Sequence, residues 1–110
     1  MLIPHAERAQ VDIHKLFYYC LNPKHDEGKH KARLFAAALG MTAEAAPELC
    51  RALLTMIKTH NAELGLEDKY GQRYTVDFIM EWGGQEALIR SGWIVEHGSD
   101  IPRLTTCYPL

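Results

Sequence analysis

The sequence predicts an α+β fold, with three N-terminal helices packed on one face of a C-terminal three-stranded antiparallel sheet, a meander. Three observations carry that expectation. Apolar residues recur at helical spacing through the first half of the chain, and from Tyr70 onward they alternate. Two turn signals, Gly83-Gly84 and Gly98-Ser99-Asp100, then divide the alternating half into three strands.

The first helix is expected over residues 12–21, where Ile13, Leu16, Phe17, Cys20 and Leu21 form one apolar stripe. Asp12 suits the N-cap, and Asn22-Pro23 stops the helix. A second helix follows a turn at 25–28 and ends at Gly40, a suitable C-cap. Its apolar set is Leu34, Phe35, Ala38 and Leu39, and Lys31 falls on the same stripe one turn earlier. The third helix begins near Ala46-Pro47, with Pro47 fitted to a first turn. It carries Leu49, Leu53, Met56 and Ile57 on one face and is expected to run to about residue 62. Residues 65–69 change the period.

In the first strand Tyr70, Tyr74, Val76, Phe78 and Met80 point one way, and Gly71, Arg73, Thr75, Asp77 and Glu81 the other. Residues 86–96 pair back as a hairpin, placing Ile89, Ser91, Trp93 and Val95 on one face and Leu88, Arg90 and Ile94 on the other. The last strand, 103–108, has two readings: either Leu104, Thr106 and Tyr108 or Thr105 and Cys107 point inward. The whole is one domain, 1–110, with a helical half of about 1–64 and a sheet half of about 70–110.

Composition narrows the function classes. Twelve Lys and Arg against fourteen Asp and Glu leave a formal charge of −2, which argues against a protein that coats DNA by charge alone. Cys20, Cys50 and Cys107 make no CxxC or Cys-His zinc spacing, and the six histidines show no metal-ligand spacing. Neither metal nor cofactor is expected, and three reduced thiols fit a cytoplasmic location. Leu2-Ile3 is cut short by Pro4, too early for a secretory signal, and no apolar run reaches a membrane span.

One stretch stands apart. Residues 22–33 hold four cations and two carboxylates, a local charge of +2 that leaves −4 for the rest, together with His25 and His30. A solvated turn and polar helix face explain it structurally. A functional account starts from the anion affinity of a helix N-terminus, to which Lys and His add phosphate binding and proton transfer. Lys31, in phase with Leu34 and Phe35, either snorkels at the core edge or reaches toward the sheet. Arg90 either pairs with Asp77 or Glu81 across the sheet or offers a guanidinium to phosphate. Trp93 reads as core, Thr105 and Thr106 as ordinary strand residues, and Tyr108 as a cap on the core.

Leu21-Asn22-Pro23, His25, Gly28, Lys31-Ala32 and Phe35 resemble the opening signature of the bacterial domain-of-unknown-function family 6883. The resemblance continues through Tyr70-Gly71, Tyr74-Thr75-Val76, Trp93-Ile94-Val95 and Gly98, and closes on Pro102-Arg103-Leu104 and Thr106-Cys107-Tyr108-Pro109. It implies a small toxin-like module. Its helices-then-sheet layout is in turn similar to the barnase–EndoU–colicin–RelE group of metal-independent ribonucleases. On that resemblance, His25 or His30 transfers protons, Lys31 and Arg90 stabilise phosphate, and Thr106 positions the substrate, an RNA. The alternative is a noncatalytic binding module with a small cognate protein partner, one half of a toxin–antitoxin or immunity pair. Self-association as a homodimer is a third expectation, because an open sheet has two edges to cover.

Overall fold

The computed structural model describes residues 1–110 and has the expected layering, helices first and an antiparallel sheet behind them. The sheet, however, has four strands: β1 (Glu63–Glu67), β2 (Gly71–Trp82), β3 (Gln85–Glu96) and β4 (Pro102–Pro109), in the spatial order β1-β2-β3-β4. The added strand is β1. Its sequence, Glu-Leu-Gly-Leu-Glu, contains no β-branched or aromatic residue, and all five positions are exposed. It is extended because it pairs with β2, Glu63 opposite Thr75 and Leu64 opposite Tyr74.

Helix α1 starts at Ile13, with the Asp12 carboxylate accepting from the His14 amide at 2.9 Å. After Lys15 the helix widens into a π turn, Leu16–Cys20, in which the Leu21 amide reaches back to the Leu16 carbonyl. The wider turn splits the expected stripe. Leu16, Cys20 and Leu21 are buried, whereas Ile13 and Phe17 swing out to solvent. Helix α2 (Lys29–Leu39) buries Ala32, Phe35 and Leu39 and stops at Gly40. Leu34, expected in the core, is exposed because it lies a quarter-turn or so from Phe35. Helix α3 (Ala46–Met56) has Pro47 in its first turn and buries Leu49, Leu53 and Met56. It ends well before residue 62, because the chain must turn into β1. The Ala62 amide is held there by the Met1 carbonyl at 2.6 Å.

Gly83 and Gly84 both have positive φ, 57° and 79°, the two-residue turn that matches strand twist. It fixes the β2–β3 register, and Tyr74, Val76, Phe78 and Met80 face the helices with Ile89, Ser91 and Trp93, whereas Tyr70, expected on the same face, lies in the turn before β2 and is exposed. Ser91 is the one buried polar residue, and it is satisfied: its hydroxyl donates to the Val76 carbonyl at 2.7 Å and accepts from the Trp93 indole at 2.9 Å. In β4 the two readings of the buried face merge. Gly92 pairs with Thr106 and Trp93 with Leu104, so Thr105 is an extra, bulged residue. The bulge resets the alternation, and Leu104 and Cys107 both point into the core.

Candidate functional site

The segment between α1 and α2 folds on its own side chains. The Asn22 carboxamide accepts from the Lys24 amide at 2.9 Å and donates to the Tyr18 carbonyl at 3.0 Å. The His25 Nδ1 atom accepts from the amides of Glu27 at 3.1 Å and Gly28 at 3.0 Å. With Nδ1 used as an acceptor, the ring proton sits on Nε2. Gly28 closes the segment against α1, where any Cβ would collide with the Tyr19 carbonyl oxygen. His25 thereby meets the Tyr19 ring edge-on, centroids 4.9 Å apart.

Lys31 is half-buried one turn into α2. Its Nζ donates to the Tyr19 hydroxyl at 3.2 Å and lies 5.2 Å from the Tyr19 ring centre and 5.8 Å from that of Tyr108 on β4. Lys15 approaches the Tyr19 ring at 5.3 Å. Behind these cations the thiols of Cys20 and Cys107 meet in the core. The Cys107 thiol, by hydrogen bonding to Cys20, draws the Cys20 pKa below the usual thiol range, and Lys15 and Lys31 act in the same direction. The same contact and full burial push Cys107 well above it.

Tyr108 stands opposite Arg90, and Arg90 opposite Asp77, in one row across the outer face of the sheet. Arg90 Nε and Nη2 each bond an Asp77 carboxylate oxygen at 2.9 Å, a bidentate pair. Asp77, and more weakly Tyr108, fix the guanidinium in its charged form. Of the two expected partners for Arg90 the structure selects Asp77. Thr106 lies one pair along on the same face, opposite Gly92.

Thus Lys31 and Arg90 flank Tyr108, and His25 joins Lys31 through Tyr19. His30 does not join them, because it follows the helix round to an exposed position. The arrangement is a surface strip along β4 rather than a pocket. The largest concavity, about 580 Å³, lies at the β2–β3 turn, and none of the five concavities is lined by His25, Lys31, Arg90 or Thr106. Two residues of the strip have functions in it that the sequence reading did not give: Tyr19 was assigned none, and Tyr108, expected to cap the core, stands opposite Arg90 on the outer face. The signals were present in spacing alone: Lys15 and Tyr19 are i, i+4 on a helix, and Thr106 and Tyr108 are i, i+2 on a strand. Chemically, the strip offers an anion the Lys31 ammonium and the remaining N–H groups of an Arg90 already paired with Asp77, with two phenols and an imidazole N–H beside them.

No helix is long and apolar enough to cross a membrane. The sequence profile of the family described as "Domain of unknown function (DUF6883)" matches residues 2–110. Comparison with curated proteins gives no match. Among solved structures, the fold is similar to a chain of a contact-dependent growth inhibition toxin–immunity protein complex from Klebsiella pneumoniae 342. The TM-score is 0.69 at 16% identity, covering 91% of this chain and 98% of that one, so the likeness is one of fold.

Proposed function

The chain belongs to the DUF6883 family, and we propose that it is a toxin-like, metal-independent endoribonuclease working along the β4 strip. The observation that carries the reading is the placement of the Lys31 amine 5.8 Å from the Tyr108 ring, with Arg90 in register on the other side of that residue. The likeness in fold to a chain of a growth-inhibition toxin–immunity complex supports it.

In this reading a ribose 2′-hydroxyl attacks the adjacent phosphorus, its proton leaving to water, and the bond to the 5′-oxygen breaks. Lys31 and Arg90 neutralise the charge that builds on the phosphoryl oxygens, a role that requires no metal. The departing 5′-oxygen takes a proton from water, and His25, whose Nδ1 is occupied by two backbone amides, donates a hydrogen bond to it from Nε2. Thr106, expected to position the substrate, lies beside these groups opposite Gly92 with its hydroxyl oxygen shut off from solvent. His30 has no part in it.

Purified protein incubated with tRNA or total RNA in EDTA is expected to produce 2′,3′-cyclic phosphate and 5′-hydroxyl ends. Lys31→Ala is expected to lower the rate about a hundredfold or more. Inert wild-type protein across these RNAs, or full activity in a His25→Ala/Lys31→Ala double variant, overturns the assignment. The alternative is a noncatalytic partner, because a toxin–immunity complex contains a binding protein as well as a toxin. A stoichiometric protein partner recovered without any RNA cleavage favours it.

A further inference from the structure

Two thiols meet where the helical half touches the last strand. Cys20 ends the π turn of α1, Cys107 lies in β4, and both are fully buried in one core cluster. Cys107 acts on Cys20 through its thiol and its backbone amide, each as a hydrogen-bond donor, so the two side chains are in contact. The third cysteine, Cys50 on α3, has no thiol beside it; burial raises its pKa and Arg51 is the charge that acts on it. Neither Cys20 nor Cys107 has a part in the cleavage chemistry.

Each of the two is next in the chain to a tyrosine of the strip, Cys20 to Tyr19 and Cys107 to Tyr108, and Lys31 Nζ lies over both rings. The elements they join are held unequally. Strand β4 is paired along β3, whereas α1 has three residues of α-helix followed by five of π turn, too short to be stable alone. Weakly held elements are where a fold opens locally, and lifting the π turn uncovers Cys20 to a small oxidant. Lys15 and Lys31 favour the Cys20 thiolate, the form that reacts.

We propose that Cys20 and Cys107 are a thiol pair that hydrogen peroxide converts to a disulfide, tying the π turn of α1 to β4. The Cys20 thiolate attacks one peroxide oxygen, the O–O bond breaks, and hydroxide leaves and takes up the thiol proton as water, with a sulfenic acid left on Cys20. The Cys107 sulfur then attacks the Cys20 sulfur. The S–S bond forms, the S–O bond breaks, and the hydroxide departs as water with the Cys107 proton. The two thiols give up two electrons, and one peroxide becomes two waters. The bond closes a loop that spans most of the chain, which restricts the unfolded state strongly. It also holds Tyr19 and Tyr108 on either side of Lys31, whatever the strip acts upon.

The intact reduced chain, treated with hydrogen peroxide, quenched with catalase and unfolded in N-ethylmaleimide, reports the bond by mass. Wild type is expected to take up one maleimide, at Cys50, where the untreated chain takes up three. Non-reducing digestion should give the Cys20 and Cys107 peptides linked, and dithiothreitol should restore all three thiols. Thermal unfolding of the oxidised chain is expected about 5 °C or more above that of the reduced chain, in wild type and in Cys50→Ala alike. Cys20→Ala and Cys107→Ala should each lose both the link and the rise in Tm. The wild-type and Cys50→Ala measurements decide the matter even where removal of a core thiol unfolds the protein. Three free thiols after treatment, sulfinic acid at Cys20 in place of a link, a bond through Cys50 or between chains, or no rise in Tm overturns the pair. None of these measurements involves RNA, so the pair stands or falls apart from the ribonuclease reading.

Discussion

The two edges of the sheet were built to opposite plans. At the β4 edge, α2 and the π turn of α1 pack close, and buried Leu104 and Cys107 alternate with the residues of the cationic strip. At the β1 edge no helix covers the strand, and Leu64 and Leu66 are 63% and 70% exposed. Glu63 and Glu67 bracket those leucines, and the β1–β2 register breaks between Leu64 and Glu67. Charge and irregular register are the usual means by which an open edge resists pairing with another chain. One edge is therefore covered by helices, and the other is guarded by charge and irregular pairing alone.

Truncating one leucine at each edge should separate them most. Leu104→Ala is expected to cost about 3 kcal/mol, the loss for a fully buried leucine, whereas Leu66→Ala should change stability by less than about 0.5 kcal/mol. Urea unfolding of the two variants measures the difference, and equal losses would mean that β1 is packed in solution. Next comes Gly28→Ala, which sets a methyl group against the Tyr19 carbonyl. It is expected to destabilise by about 2 kcal/mol. Because it moves Tyr19 away from His25 and Lys31, it should also depress RNA cleavage under conditions where the variant remains folded.

The smallest effect concerns pH. Arg73, followed by the Tyr70 and Gly71 amides, holds the Asp68 carboxyl below its ordinary pKa, in the turn between β1 and β2. A depressed acid stabilises the fold above its unfolded pKa and loses that contribution as pH falls through the folded value. Amide exchange in residues 63–67 should therefore accelerate below about pH 4, ahead of exchange in β4. Asp68→Asn should remove the pH step. If both edges loosen together, the contrast between them is wrong.

How far the sequence revealed these features depended on the range of the interactions. The helical order, the Gly83-Gly84 hairpin and the inward face of β2 follow from local spacing, and all three are present. Strand β1 was hidden because neither propensity nor burial marks it, and only its partner makes it extended. The Phe17 and Leu34 expectations failed for a different reason, since a periodic stripe assumes a regular helix and a wide contact face. Lys31 and Arg90 were legible as cations out of place on apolar elements. Tyr108 was not, because its significance comes from Lys31, which reaches it from the opposite half of the chain. Sequence adjacency also misled: His30 is next to Lys31 in the chain, but the helix turns it toward solvent.

The spatial strand order β1-β2-β3-β4 repeats the order in the chain. Each strand can therefore find its neighbour through a short loop, and the hairpin at Gly83-Gly84 is a natural place for the sheet to nucleate. The contact between Lys31 and Tyr108 is the reverse, a closure between early and late residues that comes only when β4 is in place. During synthesis the helical half leaves the ribosome with its lysines and histidines but without the strand that completes the strip. A chain of this design completes the strip only when its last strand docks.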